Sequence, residues 1–224
     1  MTLSSLSRAA RKDLTRSTLV RTALLLLGEG RSFGSLGIRE ITRHAGLLPN
    51  AFYRHFSTTD ELGLDLVTEA GLTLRRLLRE ARQEPPVRGR DLIRHSVQTY
   101  QAYVRQNRLL FLFISSERAG SSRTLRAAIR SEVSHFTTEM AQDFRRMGAY
   151  PDLSTAHLQM VCGLIVTTML AAAPEILDLP EDQPLLEAEL TDNFVQQLRL
   201  ILLGAAGWRP RPRTAAVKSL EVAD

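Results

Sequence analysis

Apolar residues in this chain recur every three or four positions almost throughout. Stretches that alternate polar with apolar residues between turns are missing. A period near 3.6 puts apolar side chains on one stripe of a helix, whereas a half-buried strand needs a period of two. The chain is therefore expected to be all-α. Helix one is expected over about Leu14 to Gly28, with Leu19, Ala23 and Leu27 on one face, Val20 and Leu24 beside them, and Gly28 and Gly30 ending it. A short second helix spans about Ile38 to Ala45, with Ile38, Ile41 and Ala45 inward, and stops at Gly46. A short third helix opens at Pro49, which suits a first helical position because that N–H has no partner to lose; Phe52 and Phe56 face its core. Thr58 and Glu61 fit a capping box for a fourth helix carrying Leu62, Leu66, Ala70, Leu74 and Leu77 to about Arg82. Glu84-Pro85-Pro86 is the clearest break. Further helices are expected near Asp91–Arg105, Leu109–Glu117, Arg123–Met147, Thr155–Ala173 and Gln183–Leu203. Breaks fall at Asn107, Gly120-Ser121-Ser122, Gly148 to Asp152, and Pro174 to Pro184.

Charge is distributed unevenly. Residues 1–56 hold nine Lys or Arg against three acids, while the remaining chain holds 20 basic and 21 acidic residues. All of the net charge of +5 is thus supplied by the first quarter. A polyanion partner explains this, and so does a solubilising surface. Hydrophobic residues at 44% suffice for a packed core. No apolar run approaches the twenty or so residues of a membrane span, and no short apolar core precedes a cleavage site, so a cytoplasmic protein without signal peptide or membrane partner is expected. Cys162 is the only cysteine, which excludes an internal disulfide and a cysteine-based zinc site; it reads as inert packing. His95, His135 and His157 lack metal-ligand spacing. Ser115, Ser116, Ser121 and Ser122 lack a nucleophile-elbow setting. No enzyme, metal or cofactor is expected.

Two short helices meeting at a glycine, braced by flanking helices, describe a helix-turn-helix, whose second helix enters the major groove. The outward residues suit that role. Asn50 can read adenine and Ala51 can touch a thymine methyl. Tyr53 and Arg54 suit phosphates, and His55 lies near the same face with Pro49. Arg39 can reach a guanine edge or a phosphate, and Arg43 lies one turn further on. Thr58 and Thr59, at the start of helix four, offer N–H groups to another phosphate. Arg8, Arg11 and Lys12 form a basic arm suited to the minor groove.

Residues 33–62 resemble the DNA-binding domain of the TetR family, through Ile38-Arg39-Glu40-Ile41, Ala45-Gly46, Phe52-Tyr53-Arg54-His55-Phe56 and Asp60-Glu61-Leu62. The resemblance implies a three-helix DNA-binding domain, a larger helical ligand-binding and dimerisation domain, and a homodimer on a palindromic operator. On that basis the chain divides into a flexible basic arm (1–13), the DNA-binding domain (14–60), the ligand and dimer domain (61–208) and a disordered tail (209–224). Thr59 stands where most members carry lysine, and Leu48 replaces the usual small polar cap. A narrower likeness, through residues 49–55, 60–64, 117–122 and Leu125-Arg126, is to the FabR and DesT subgroup. It implies control of unsaturated fatty acid synthesis by long acyl chains on coenzyme A or acyl carrier protein.

An acyl chain needs an apolar tunnel and coenzyme A needs cations at its mouth. Phe111, Phe113, Ile114, Phe136, Met140, Met160, Leu164 and Met169 can line the tunnel, or be ordinary core. Arg118, Arg123 and Arg126 can meet phosphates. Arg118, which the subgroup likeness includes, can instead bond loop carbonyls. Leu158, Val161, Ile165, Met169, Phe194, Leu198 and Ile201 recur at helical spacing in the last two helices and are assigned to dimerisation, with intrachain packing as the alternative. The expected function is a repressor of fatty acid synthesis or desaturation genes. An efflux repressor answering an apolar toxic compound, an acyl-thioester enzyme and a membrane-surface helical protein are the other readings.

Overall fold

The computed structural model describes residues 7–83, 91–180 and 182–209. Among these residues there are nine α-helices, one 3-10 turn and no strand. The Glu84-Pro85-Pro86 break, the tail beyond Arg209 and the inward placement of the Leu77 side chain lie outside what is described.

The N-terminal head is built from α1 (Arg8–Gly28), a 3-10 turn (Phe33–Ser35), α2 (Ile38–His44), α3 (Pro49–Tyr53) and the start of α4 (Thr59–Gln83). The body contains α5 (Leu92–Gln106), α6 (Arg108–Glu117), α7 (Arg123–Arg146), α8 (Thr155–Asp178) and α9 (Pro184–Gly207). Helix α1 starts at Arg8, so Arg8, Arg11 and Lys12 are helical and exposed rather than part of a flexible arm. Ser7 is the reason: its Oγ accepts the Ala10 N–H at 3.1 Å and caps the helix. No apolar period marks that first turn in the sequence.

Helix α8 runs through Pro174 to Asp178, past its expected end at Ala173. Proline removes one backbone bond there, but Pro174 is exposed while Ile176 and Leu177 beyond it are 1% and 6% exposed. The Tyr100 hydroxyl donates to the Met169 carbonyl at 2.8 Å, and Arg108 donates to the Leu177 carbonyl at 2.6 Å. Packing and these two donors carry the helix across the break. By length and composition α8 is apolar enough to cross a membrane, but half of its most apolar stretch is buried in the protein, as in a core helix.

Two apolar cores form. One fills the body between α5, α6, α7, α8 and α9. The other fills the head, yet includes Phe113 of α6 and Leu125 and Ile129 of α7. Head and body therefore share packed side chains. Phe33 stands edge-on to Phe113 with ring centroids 5.0 Å apart. Gly63 of α4 makes this seat possible: a Cβ there would come within 2.8 Å of Leu125 and 2.9 Å of Phe33.

Candidate nucleic-acid interface and apolar cavity

The turn between α2 and α3 is fixed by backbone geometry. Gly46 has φ +67°, a conformation that costs glycine little and other residues more. The Leu47 N–H donates to the Thr42 carbonyl at 2.8 Å and the Gly46 N–H to the Arg43 carbonyl at 3.1 Å. This pattern closes the end of α2 as a Schellman motif. Leu48 caps α3 with no side-chain bond, and Pro49 takes the first helical position. Its preset φ stands in for the missing polar cap.

Helix α3 is anchored from behind. Phe52 and Phe56 are 0% and 3% exposed, with rings 5.6 Å apart. The Arg16 guanidinium lies 5.5 Å over the Phe56 ring and pairs with Asp65. The opposite side is open: Pro49, Asn50, Tyr53 and Arg54 are exposed, Tyr53 by 61%, and Ala51 is half-buried. Arg39 and Arg43, four apart on α2, are exposed too. Arg39, Arg43 and Arg54 pair with no acid among the described residues, whereas Arg31 is held by Glu40 at 2.5 and 3.2 Å. That pairing holds the Glu40 carboxyl below its ordinary pKa, through the Arg31 bond first. The result is a surface of uncompensated guanidiniums around one short helix, which favours a polyanion.

His55 is less exposed than Tyr53 and Arg54, and its Nδ1 is buried without a partner among the described residues. Burial, then the charges of Lys12, Arg16 and Arg54, lower its pKa. It serves the back of α3, against Phe56, as a neutral ring. At the start of α4, the Thr58 Oγ1 accepts the Glu61 N–H at 3.2 Å and Glu61 accepts the Ser57 N–H at 2.5 Å. Only the Thr58 half of the capping box forms, since Glu61 reaches the Ser57 N–H and not that of Thr58; Thr58 already uses one of the N–H groups expected to meet phosphate, and Thr59 is half-buried.

The body encloses a cavity of about 230 Å³ between α4, α5, α6, α7, α8 and α9. Phe111, Ile114, Phe136, Met140 and Met169 line it, as the sequence suggests. Phe113 does not: it is 0% exposed on another side of α6, against Phe33. Met160 and Leu164 do not either, being 47% and 52% exposed on α8. Sequence reasoning missed Tyr100, Leu74, Leu92 and Met147, which do line the cavity; Leu74 carried a periodic signal but no reason to assign it to a ligand. Arg118, Arg123 and Arg126 do not line it, although the Arg118 charge acts on the hydroxyl of Tyr100, which does. Arg126 donates to the Gly120 carbonyl and, at 2.9 Å, to the Ser121 carbonyl. It thus has the loop-holding role considered for Arg118, which stays exposed.

The residues assigned to dimerisation are inside the protomer. Leu158, Val161, Ile165, Phe194 and Leu198 are at most 7% exposed, and Met169 and Ile201 are half-buried against the same core. Helices α8 and α9 are apolar on more than one side, so helical spacing alone does not separate inner from outer faces. The outer faces carry Met160, Leu164, Leu200 and Leu203.

Residues 90–201 match the family described as tetracycline repressor-like, C-terminal domain. Among solved structures, the chain is similar to the fatty acid degradation regulator FadR from Bacillus halodurans (15% identity, TM-score 0.63, 88% of this chain and 97% of that one). It is also similar to a TetR-like transcriptional regulator from Rhodococcus sp. RHA1 (15%, TM-score 0.57, 91% and 100%). SmeT in complex with triclosan is a third (16%, TM-score 0.59, 89% and 98%). At these identities the likenesses establish a shared fold, and together with the match over the body they support one conclusion: the chain belongs to the TetR family of transcriptional regulators.

Proposed function

We propose that the protein is a homodimeric repressor, acting in the cytoplasm and not as an enzyme, which holds a palindromic operator with α3 and releases or grips it according to the acyl chain in its cavity. Its targets are genes of unsaturated fatty acid synthesis or desaturation, and its effector is long-chain acyl-coenzyme A or the acyl carrier protein equivalent. The observation that carries the reading is the double role of α6. Phe111 and Ile114 line the cavity, while Phe113 is packed against Phe33 of the head. A ligand that moves α6 changes the seat of the head, and bent and straight chains fill a passage differently. Control follows only if the ligand binds the DNA-competent and incompetent states with different affinity. The likeness to the FabR and DesT subgroup supports the acyl class. The outer faces of α8 and α9, with Met160, Leu164, Leu200 and Leu203 exposed, support the dimer.

Operator affinity measured with saturated and with unsaturated acyl-coenzyme A of equal length tests this: a difference supports sensing, and equal affinity removes it. The second reading is a repressor of an efflux gene that answers an apolar toxic compound. Its support is that Arg118, Arg123 and Arg126 do not line the cavity. It expects triclosan-like compounds, and not acyl-coenzyme A, to displace operator DNA.

A further inference from the structure

Leu92 and Met147 differ from the other residues that line the cavity. Leu92, at the start of α5, is 47% exposed, and Met147, at the end of α7, is 53% exposed. The other lining residues are buried or half-buried. A large apolar side chain that both lines a cavity and meets solvent marks its mouth. The opposite end is closed by Val67 of α4, Leu110 of α6 and Ile129 of α7, which belong to or pack on the core of the head.

Ile129 and Met147 are eighteen residues apart along α7, a rise of about 27 Å. Spread over that length, about 230 Å³ is a narrow passage. The volume also falls below the roughly 300–1,000 Å³ of pockets that swallow a drug-sized molecule whole. The wall does not suit a nucleotide head: among the described residues Glu132 is the one charged residue lining it, and it is already paired with Arg75. A phosphate buried there without a partner would be strongly disfavoured.

We infer that the cavity takes a single-chain amphiphile tail-first through a mouth between Leu92 and Met147, with the tip of the chain against Ile129 under the DNA-binding head and the polar group left outside at the far end of the body. This rests on the acyl reading above and adds a direction to it. Arg123 starts α7 and Met147 follows its end, so of the guanidiniums that sequence suggested for the polar group, Arg123 and Arg126 stand about 36 and 32 Å from Met147 along the helix. Among the described residues, the charged side chains flanking Leu92 and Met147 pair with one another or with backbone: Asp91 with Arg199, Arg94 with Asp192, Arg146 with Asp143, and Arg145 with the Pro151 and Leu153 carbonyls. The tail therefore supplies most of the affinity, and chain length is read where the tip presses on the residues that seat Phe33.

The test uses the full-length protein, palmitoyl-coenzyme A and single Leu92→Cys, Met147→Cys and Arg123→Cys variants in a Cys162→Ser background. The native thiol is buried, and each variant is first checked for unchanged helix content. Palmitoyl-coenzyme A is expected to slow maleimide labelling of Leu92→Cys and Met147→Cys and to leave Arg123→Cys unaffected. Ile129→Phe, which shortens the closed end, should weaken palmitoyl-coenzyme A by about tenfold or more and leave decanoyl-coenzyme A unchanged. Protection at position 123 with none at 92 and 147, or equal loss of both chain lengths in Ile129→Phe, overturns the inference while the acyl reading stands. Absence of palmitoyl-coenzyme A binding to the unmodified protein overturns both.

Discussion

The head and the body of this protein are both helical, but they are specified at different ranges. In the head, each functional position follows from a neighbour a few residues away. Gly46 turns the chain, Pro49 opens α3, and Phe52 and Phe56 fix which side of α3 is left outside. In the body, function depends on which of several apolar faces meets which helix, and that is decided by contacts across more than a hundred residues. The difference teaches that a short amphipathic helix declares its outer face, whereas a long helix apolar on several sides does not.

The comparison is broken most severely by changes to the anchors. Phe52→Ala empties a fully buried site and should cost about 3–5 kcal/mol. Operator binding should disappear while the body keeps its helices and its cavity, seen as a partial loss of circular dichroism with acyl-ligand binding retained. Equal loss of both would show that the shared Phe33–Phe113 core makes head and body one cooperative unit.

The outer and inner faces of the last two helices can be separated by charge. Leu164→Glu with Leu200→Glu, at positions 52% and 71% exposed, should give a folded monomer in sedimentation velocity. Leu158→Glu, at a position 1% exposed, should unfold the body instead, because an unpaired buried carboxylate costs several kcal/mol. A folded Leu158→Glu monomer would restore the dimer surface first read from the sequence.

On the head, Asn50→Ala should relax preference for one base pair by about 1–3 kcal/mol. Arg54→Ala should weaken all sequences alike and reduce the salt slope by about 1. Competition binding at several salt concentrations distinguishes them. An unchanged preference in Asn50→Ala would remove its base-reading role.

The smallest effect concerns the joint between the two regions. Glu117, at the end of α6, is 4% exposed, and burial followed by the charge of Asp60 raises its pKa above the usual glutamate value. The folded state thus holds this proton more tightly than the unfolded chain does. Stability from this group should be gained as pH falls through the raised value and lost as pH rises through it. Glu117→Gln should abolish that dependence and stabilise the protein above that window, measured as unfolding midpoints against pH. A wild-type profile flat through that window would remove the effect.

How much was legible follows the same division. The helix-turn-helix, its anchors, the Thr58 cap and the order of the body helices could be read, because each depends on local spacing. The ordered start of α1 was hidden, since Ser7 supplies a cap with no apolar period behind it. The continuation of α8 past Pro174 was hidden because Arg108 and Tyr100, distant in sequence, hold the helix there. The exchange between Met160 and Leu164, expected in the cavity, and Leu158, Val161 and Ile165, expected outside the protomer, is one rotation of α8. Nothing in a helix this apolar fixes that rotation until α7 and α9 pack on it. The mouth at Leu92 and Met147 had no sequence signal, because it is made by the ends of two helices far apart in the chain.

Footprinting of the protein on the chromosomal region around its own gene tests the central claim most directly. Two protected half-sites, one or more helical turns apart and lost in the Phe52→Ala variant, are the predicted result. Protection without sequence preference, or protection that survives Phe52→Ala, would contradict the assignment of α3 as the element that reads DNA.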